Sequence, residues 1–356
     1  MNTPKDVRSM LIESATRLFS DNVDQKMLEA AKRDGWSERL WQTLEQAELP
    51  RVSVPEEAGG AGGTLSDLAA VLRVAGRFTA PAPLAETSML AGWMLAASGL
   101  PVPRGALTAG PAGDDVVSAR RNGSRWNVSG TLARLPWARI AKRLVLLAQA
   151  DGDAAVVSID PARCEIRPGR NLAHEPRDEV ILDNVPAEEA APAGTGVTRS
   201  ALKLRGALAR SLMMAGALER ALELSVGYAQ QRVQFGRKIG QFQAIQQELA
   251  RFGGEVAAAV AAALSAAGAV ERGGDVILAV ASAKIRTAEA AREGALIAHQ
   301  VHGAIGVTDE YALHHSTLRL WAWRDEYGNE AEWARALGGI TQKRGADQFW
   351  PALTAN

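Results

Sequence analysis

The chain has 356 residues, long enough for two or three domains and a sizeable core. Its forty basic and forty acidic residues cancel, so no whole-chain field draws it to nucleic acid or to an anionic membrane. A single cysteine, Cys164, excludes an intrachain disulfide framework and a cysteine-rich metal site, and points to a reducing compartment.

The opening residues Met1-Asn-Thr-Pro-Lys-Asp carry no basic-then-apolar leader pattern. The longest apolar stretch, 256–270, is mostly alanine and shorter than the roughly 20 residues a bilayer crossing needs. A soluble, cytoplasmic protein is expected. The first hundred residues read as helices: Leu11, Ala15, Leu18 and Phe19 recur at helical spacing, as do Trp36, Leu40, Trp41 and Leu44. The glycine cluster Gly59 to Gly63 follows a short apolar run. It lacks both the G-x-G-x-x-G spacing and the Lys-Ser/Thr of a phosphate loop, so a plain loop ahead of a helix over 65–75 is expected.

From about Pro101 to Pro192 the texture changes to short β-branched runs, at Trp126–Ser129, Arg143–Leu147, Ala155–Ile159 and Val180–Leu182. Strands at this spacing predict a small β-barrel or sandwich. From Thr198 onward, alanine-rich segments of 3.6 period return, over 202–231 and 276–298. Helices, then strands, then long helices is a segregated α+β order and not an alternating βαβ one. The expected domains are a helical one over 1–102, a β-domain over 103–195 and a helical bundle over 196–356.

The run Tyr228-Ala-Gln-Gln-Arg232-Val-Gln234-Phe235-Gly236-Arg237-Lys-Ile239-Gly-Gln-Phe242-Gln-Ala-Ile245-Gln246 interrupts two strongly helical segments. Its composition puts a guanidinium, an amide, an aromatic ring and a close-approaching backbone within six residues. Such a set suits a phosphate-bearing cofactor with a flat ring system, though a helix–helix connection with surface charges has the same composition. The wording is more specific. It resembles the flavin-binding signature of acyl-CoA dehydrogenases, Y-x-x-x-R-x-x-F-G-x-x-(I/L)-x-x-x-Q-x-(I/V/L)-Q. The block 35–87, with its Pro55-Glu-Glu-Ala-Gly59-Gly-Ala-Gly turn, is similar to the N-terminal helical domain of that family. A third segment, Gln300-Val-His-Gly303-Ala304-Ile-Gly306 through Glu310-Tyr311, resembles its Q-x-x-G-G-x-G element, with Ala304 in place of the second glycine.

The resemblance implies an acyl-CoA dehydrogenase-like fold: N-terminal helical domain, middle β-barrel and C-terminal four-helix bundle. It also implies FAD, with Arg232 and Gln234 at the pyrophosphate and Phe235, Ile239, Phe242 and Ile245 along the adenine and ribose. Gln300, Gly303 and Ala304 would reach the FAD of a neighbouring protomer, in a tetramer built as a dimer of dimers. The implied reaction is α,β-dehydrogenation of an acyl-CoA thioester in lipid catabolism, with an electron-transfer flavoprotein as oxidant.

The implied base is less direct. Counting without gaps from Glu310-Tyr311 places the family's carboxylate position on Tyr327, between Glu326 and Gly328. A slip of one residue makes Glu326 the base; the same glutamate also reads as part of a solvated charged run, Arg324-Asp-Glu326. Family members with the base on an earlier helix would place it at Gly206, followed here by Ala207. The usual tryptophan-centred strand is replaced by Leu135-Pro-Trp137-Ala-Arg139. Trp137 suits either a flavin cover or the core. These departures match a second reading, a base-lacking partner subunit of a heterotetramer. His314 and His315, being adjacent, are expected on different helix faces and make a poor metal pair.

Overall fold

The computed structural model describes residues 4–354, apart from 124, 151, 274 and 275. Eleven described helices are α1 (Pro4–Asn22), α2 (Gln25–Asp34), α3 (Glu38–Gln46), α4 (Leu65–Arg77), α5 (Trp93–Ala97), α6 (Arg199–Gln231), α7 (Gln243–Arg272), α8 (Val276–His302), α9 (Leu313–Asp325), α10 (Glu330–Arg344) and α11 (Ala346–Thr354). The described strands are β1 (Leu107–Gly110), β2 (Val117–Asn122), β3 (Arg125–Pro136), β4 (Arg143–Ala150), β5 (Asp153–Ile159), β6 (Glu165–Arg167), β7 (Arg177–Pro186), β8 (Glu189–Pro192), β9 (Val233–Gln234) and β10 (Arg237–Lys238). The segregated order expected from the sequence is the observed one.

Helix starts follow local chemistry. Ser37 Oγ accepts the Leu40 amide to open α3, and Asn329 Oδ1 accepts the Glu332 amide to open α10. At α4, Thr64 and Asp67 cap one another: the Thr64 amide donates to Asp67 Oδ2 and the Asp67 amide to Thr64 Oγ1. The glycine cluster ahead of α4 satisfies its own amides. Gly60, Gly62 and Gly63 donate to the carbonyls of Pro55, Val54 and Val52, which leaves those N–H groups committed to the loop and not to a phosphate.

The chain falls into two compact units. One comprises residues 26–68 and 81–206. Its centre is a mixed eight-stranded sheet in the order β6-β7-β3-β2-β4-β5-β8, with β1 parallel to β4 beside this path. Among the described residues the pairings form an open path; of the barrel or sandwich expected from the strand spacing, the closed barrel that the resemblance implies is not confirmed. The end strands β6 and β8 have three and four residues, and Pro192 on β8 donates no ladder hydrogen bond. One face packs around Val117, Val128, Leu132, Leu144, Leu146, Val157 and Val180, all fully buried. Before α5 the chain makes a π-helical stretch, Ala85–Gly92, in which all eight residues are buried.

The other unit comprises residues 1–25, 69–80 and 207–356. Within it α8 packs against α7, α9 and α10. The helix α7 has 30 residues and, by length and composition alone, is long and apolar enough to cross a membrane. The helix extends beyond the alanine run 256–270 on both sides. About a third of its most apolar window is buried.

Candidate functional site

The segment after α6 is a two-residue hairpin. Val233 and Gln234 pair with Lys238 and Arg237 around Phe235-Gly236. Both tip residues have positive φ, 51° at Phe235 and 77° at Gly236, as a primed turn demands. Glycine accepts that conformation freely, whereas a bulky aromatic residue there is strained, the kind of outlier that motivates a functional reading. Phe235 is 93% exposed, its ring edge-on to Phe242 with centroids 6.2 Å apart. The Arg237 guanidinium lies 4.1 Å over the Phe242 ring, and the Ile239 amide donates to the Arg232 carbonyl at 2.9 Å, closing the hairpin base. Arg232 and Gln234 are exposed; Ile239, Phe242 and Ile245 are half-buried beside them.

The second sequence segment sits at the end of α8. Gln300, Gly303 and Ala304 are exposed, and Gly303 has φ +64° with open space where a Cβ would stand. Buried His302 ties this end to the hairpin's helix: its ring stacks on Tyr228 of α6 at 4.6 Å and meets Tyr311 at 4.8 Å. The structure therefore brings the ends of α6 and α8, which carry the two motifs, together at one stack.

The candidate base lies elsewhere in the same unit, at the turn from α9 to α10. Tyr327 (φ 56°) and Gly328 (φ 94°) reverse the chain directly after Glu326. Glu326 Oε2 accepts Arg210 Nε at 2.7 Å, and the Arg210 guanidinium also lies 5.5 Å from the Tyr327 ring centre. Lys284 of α8, fully buried, donates to the carbonyls of Trp323 (3.2 Å) and Arg324 (2.5 Å). Burial pulls its ammonium down to about 8, with Glu326 and Glu330 pulling the other way. Trp333 Nε1 donates to the Tyr327 carbonyl at 3.1 Å.

Against this geometry stand the comparisons with known proteins. Residues 5–102 match the acyl-CoA dehydrogenase N-terminal domain, and residues 193–323 match the acyl-CoA dehydrogenase C-terminal domain. The chain is 30% identical over 315 residues to acyl-CoA dehydrogenase IpdE2 of Mycobacterium tuberculosis (strain ATCC 25618 / H37Rv), covering 88% of this chain and 90% of that protein. It belongs to the acyl-CoA dehydrogenase family. Among solved structures, the ChsE4-ChsE5 complex from Mycobacterium tuberculosis shares the fold with TM-score 0.86 at 24% identity, over 95% of this chain and 98% of that one. A variant of the Tcur3481-Tcur3483 steroid ACAD superposes with TM-score 0.83 at 26% identity, over the same shares.

Within this acyl-CoA dehydrogenase fold, Arg210 and Lys284 are the neighbours of the candidate base Glu326 that sequence reasoning missed. A signal existed. Arg210 interrupts the apolar run Ala207-Leu-Ala-Arg-Ser-Leu212, and Lys284 shares the helical face of Val280, Ala281, Thr287, Ala288 and Ala291, all buried. Gly206 and Ala207, at the family's alternative base position, are buried and carry no carboxylate. On the same helix Arg205 stacks 4.2 Å over the Trp93 ring, and burial pulls its guanidinium down to about 10. Trp137 is 2% exposed in the sheet unit, its amide donating to the Pro176 carbonyl. Cys164 is a free thiol, pushed up to about 11 by burial and then by Asp160, which makes it a poor nucleophile. His314 and His315 do not diverge: in the first turn of α9 their ring centroids lie 3.9 Å apart, and His314 Nδ1 is 2.8 Å from the Tyr311 carbonyl.

Proposed function

We propose that this chain is an FAD-dependent acyl-CoA dehydrogenase subunit that dehydrogenates an acyl-CoA thioester at its α,β-bond. The observation that carries the reading is the hairpin of 233–238, which holds Phe235 bare at its tip beside exposed Arg232 and Gln234. FAD is the cofactor of this flavoprotein family, and the residues present fit it. Arg232 and Gln234 supply donors for the pyrophosphate, while Phe235, Ile239, Phe242 and Ile245 offer apolar surface to the adenine and ribose. At the end of α8 the Gly303 turn, open to close approach, would bring Gln300 and Ala304 to the nucleotide of a neighbouring protomer. FAD, when bound, takes the β-hydride at N5.

The chain's own share of that reaction is to bind, orient and remove the α-proton, for which Glu326 is the candidate base. A dimer of dimers, an electron-transfer flavoprotein as oxidant and a cytoplasmic location go with this reading. The free cysteine is in keeping with a reducing compartment.

A second reading is favoured by the Arg210–Glu326 pair. A guanidinium at 2.7 Å engages the carboxylate, so a proton taken up there would disrupt a charge-assisted bond. On that reading this chain completes the FAD site and the assembly of a partner that holds the base. The two-chain names ChsE4-ChsE5 and Tcur3481-Tcur3483 support it as relatives by fold.

The visible spectrum of the purified chain, taken anaerobically before and after adding a panel of acyl-CoA esters, separates the two. A yellow protein bleached by one ester establishes a self-sufficient dehydrogenase. A protein that turns yellow and bleaches only after a second chain is added establishes the partner role. A chain that takes up no FAD in either state overturns both.

A further inference from the structure

We propose that Lys284 is a positioning residue that holds the 325–328 loop, and with it the Glu326 carboxylate, by gripping the last carbonyls of α9. The proposal rests on the reading above in placing this loop at the acyl end of the site.

The helix α9 ends because Glu326 is extended and Tyr327 is left-handed, which leaves its final carbonyls short of helical donors; the Trp323 carbonyl keeps one long bond, from the Glu326 amide at 3.3 Å. Lys284 supplies donors to two of them from a different helix, as a cation at the negative end of the α9 dipole. Its contacts are to main chain, so it fixes where the loop leaves the helix. Side-chain contacts then set the loop's direction: Arg210 from α6 on Glu326, Trp333 from α10 on the Tyr327 carbonyl, and Arg324 with Glu330.

Burying an ammonium is costly, and a well-packed apolar residue there is often no less stable. A lysine with 0% exposure whose ammonium donates to two main-chain carbonyls in the last turn of α9 therefore reads as a device for position. The charged groups facing it are Glu326, Asp325 and Glu330, which favour the ammonium, and Arg210, which opposes it. Burial outweighs them, so the hold changes from charge-assisted to neutral as pH rises through about 8. The sign for global stability is opposite. The unfolded chain keeps that proton to a higher pH, so between about 8 and the ordinary lysine value this group makes folding more favourable as pH rises. Lys284 thus predicts a loop that loosens while the fold as a whole gains from the same titration, which a merely structural lysine would not give.

The test is hydrogen–deuterium exchange of the peptide covering 322–333, in the protein as purified or with its partner chain, from pH 6.5 to 9.5. Lys284→Met and Lys284→Arg are compared, with melting temperature and anaerobic turnover read alongside. Corrected for intrinsic exchange, the 325–328 amides should exchange about tenfold faster in Lys284→Met, the scale of one lost charge-assisted hydrogen bond. The wild type should approach that rate above pH 8, and Lys284→Arg, charged throughout, should not. Turnover should fall in kcat with KM little changed. Should Lys284→Met fail to fold, the wild-type pH series still decides. Exchange indifferent to both pH and substitution overturns the hold. A loosened loop with undiminished turnover overturns the placement at the acyl end instead, so the two failures are distinct.

Discussion

Arg210 and Glu326 lie 116 positions apart in sequence and 2.7 Å apart in space, with the guanidinium 1% and the carboxylate 16% exposed. Removing one partner of such a pair leaves the other charge poorly compensated. Arg210→Met should cost on the order of 2–4 kcal/mol, less than a fully sealed pair because Glu326 keeps some water. The double change Arg210→Met with Glu326→Met should recover most of it. Urea denaturation of the four proteins gives the coupling directly. Under the first functional reading, Glu326→Gln also abolishes turnover; undiminished activity removes it from the mechanism.

Arg232 is exposed at the base of the hairpin, where a guanidinium–phosphate contact is worth roughly 1.5–3 kcal/mol. Arg232→Ala should therefore weaken FAD retention by about 10- to 100-fold, with the melting temperature of the flavin-free protein nearly unchanged. Flavin fluorescence released on ultrafiltration measures it. Unchanged occupancy would move the nucleotide site away from this hairpin.

Glycines on the helices divide into two kinds. A Cβ on Gly76 would stand well under 3.0 Å from the Met213 carbonyl, and one on Gly216 equally close to the Arg73 carbonyl, so α4 and α6 cross through these two residues. Gly253 and Gly254 on α7 meet nothing within 4 Å. Gly76→Ala and Gly216→Ala should each destabilise by about 1–3 kcal/mol through overpacking, despite the helix-propensity gain. Gly253→Ala should raise stability by up to about 1 kcal/mol. Equal effects at the two kinds of site would show that the crossing relaxes.

Acid should weaken the fold at the α6–α8 stack. Burial pulls His302 below the ordinary histidine range; burial, then the charge on His302, does the same to His299. The unfolded chain takes up these protons near pH 6.5 and the folded chain resists them, so stability should fall as pH drops through that value. Urea midpoints at pH 7.5 and 5.5 test this. His302→Gln should lower the first midpoint and shrink the difference between the two.

Periodicity made the helices readable, with α4 and α8 found to within a few residues, because each buries a stripe at 3.6 spacing. β3, β4, β5 and β7 were equally legible from β-branched runs. β1 and β8 were not: Leu-Thr-Ala-Gly and Glu-Ala-Ala-Pro have little strand propensity and are strands only because neighbours pair with them. The hairpin at 233–238 was visible as a break in helix, yet its register depends on the positive φ at Phe235, which no local preference would assign to phenylalanine. Around Glu326 the sequence showed the carboxylate and hid its environment. Arg210 and Lys284 reach it from helices over a hundred and about forty positions away, and pairing at that range leaves no mark in a local pattern.

The bare ring of Phe235 has a consequence for handling. On the proposed function, the residues that grip the nucleotide also carry the most exposed large apolar side chain of the described chain. Association and flavin uptake are then thermodynamically linked, each drawing the other forward by mass action. Dilution should strip colour and disperse protomers over one concentration range, and excess flavin should shift both midpoints together.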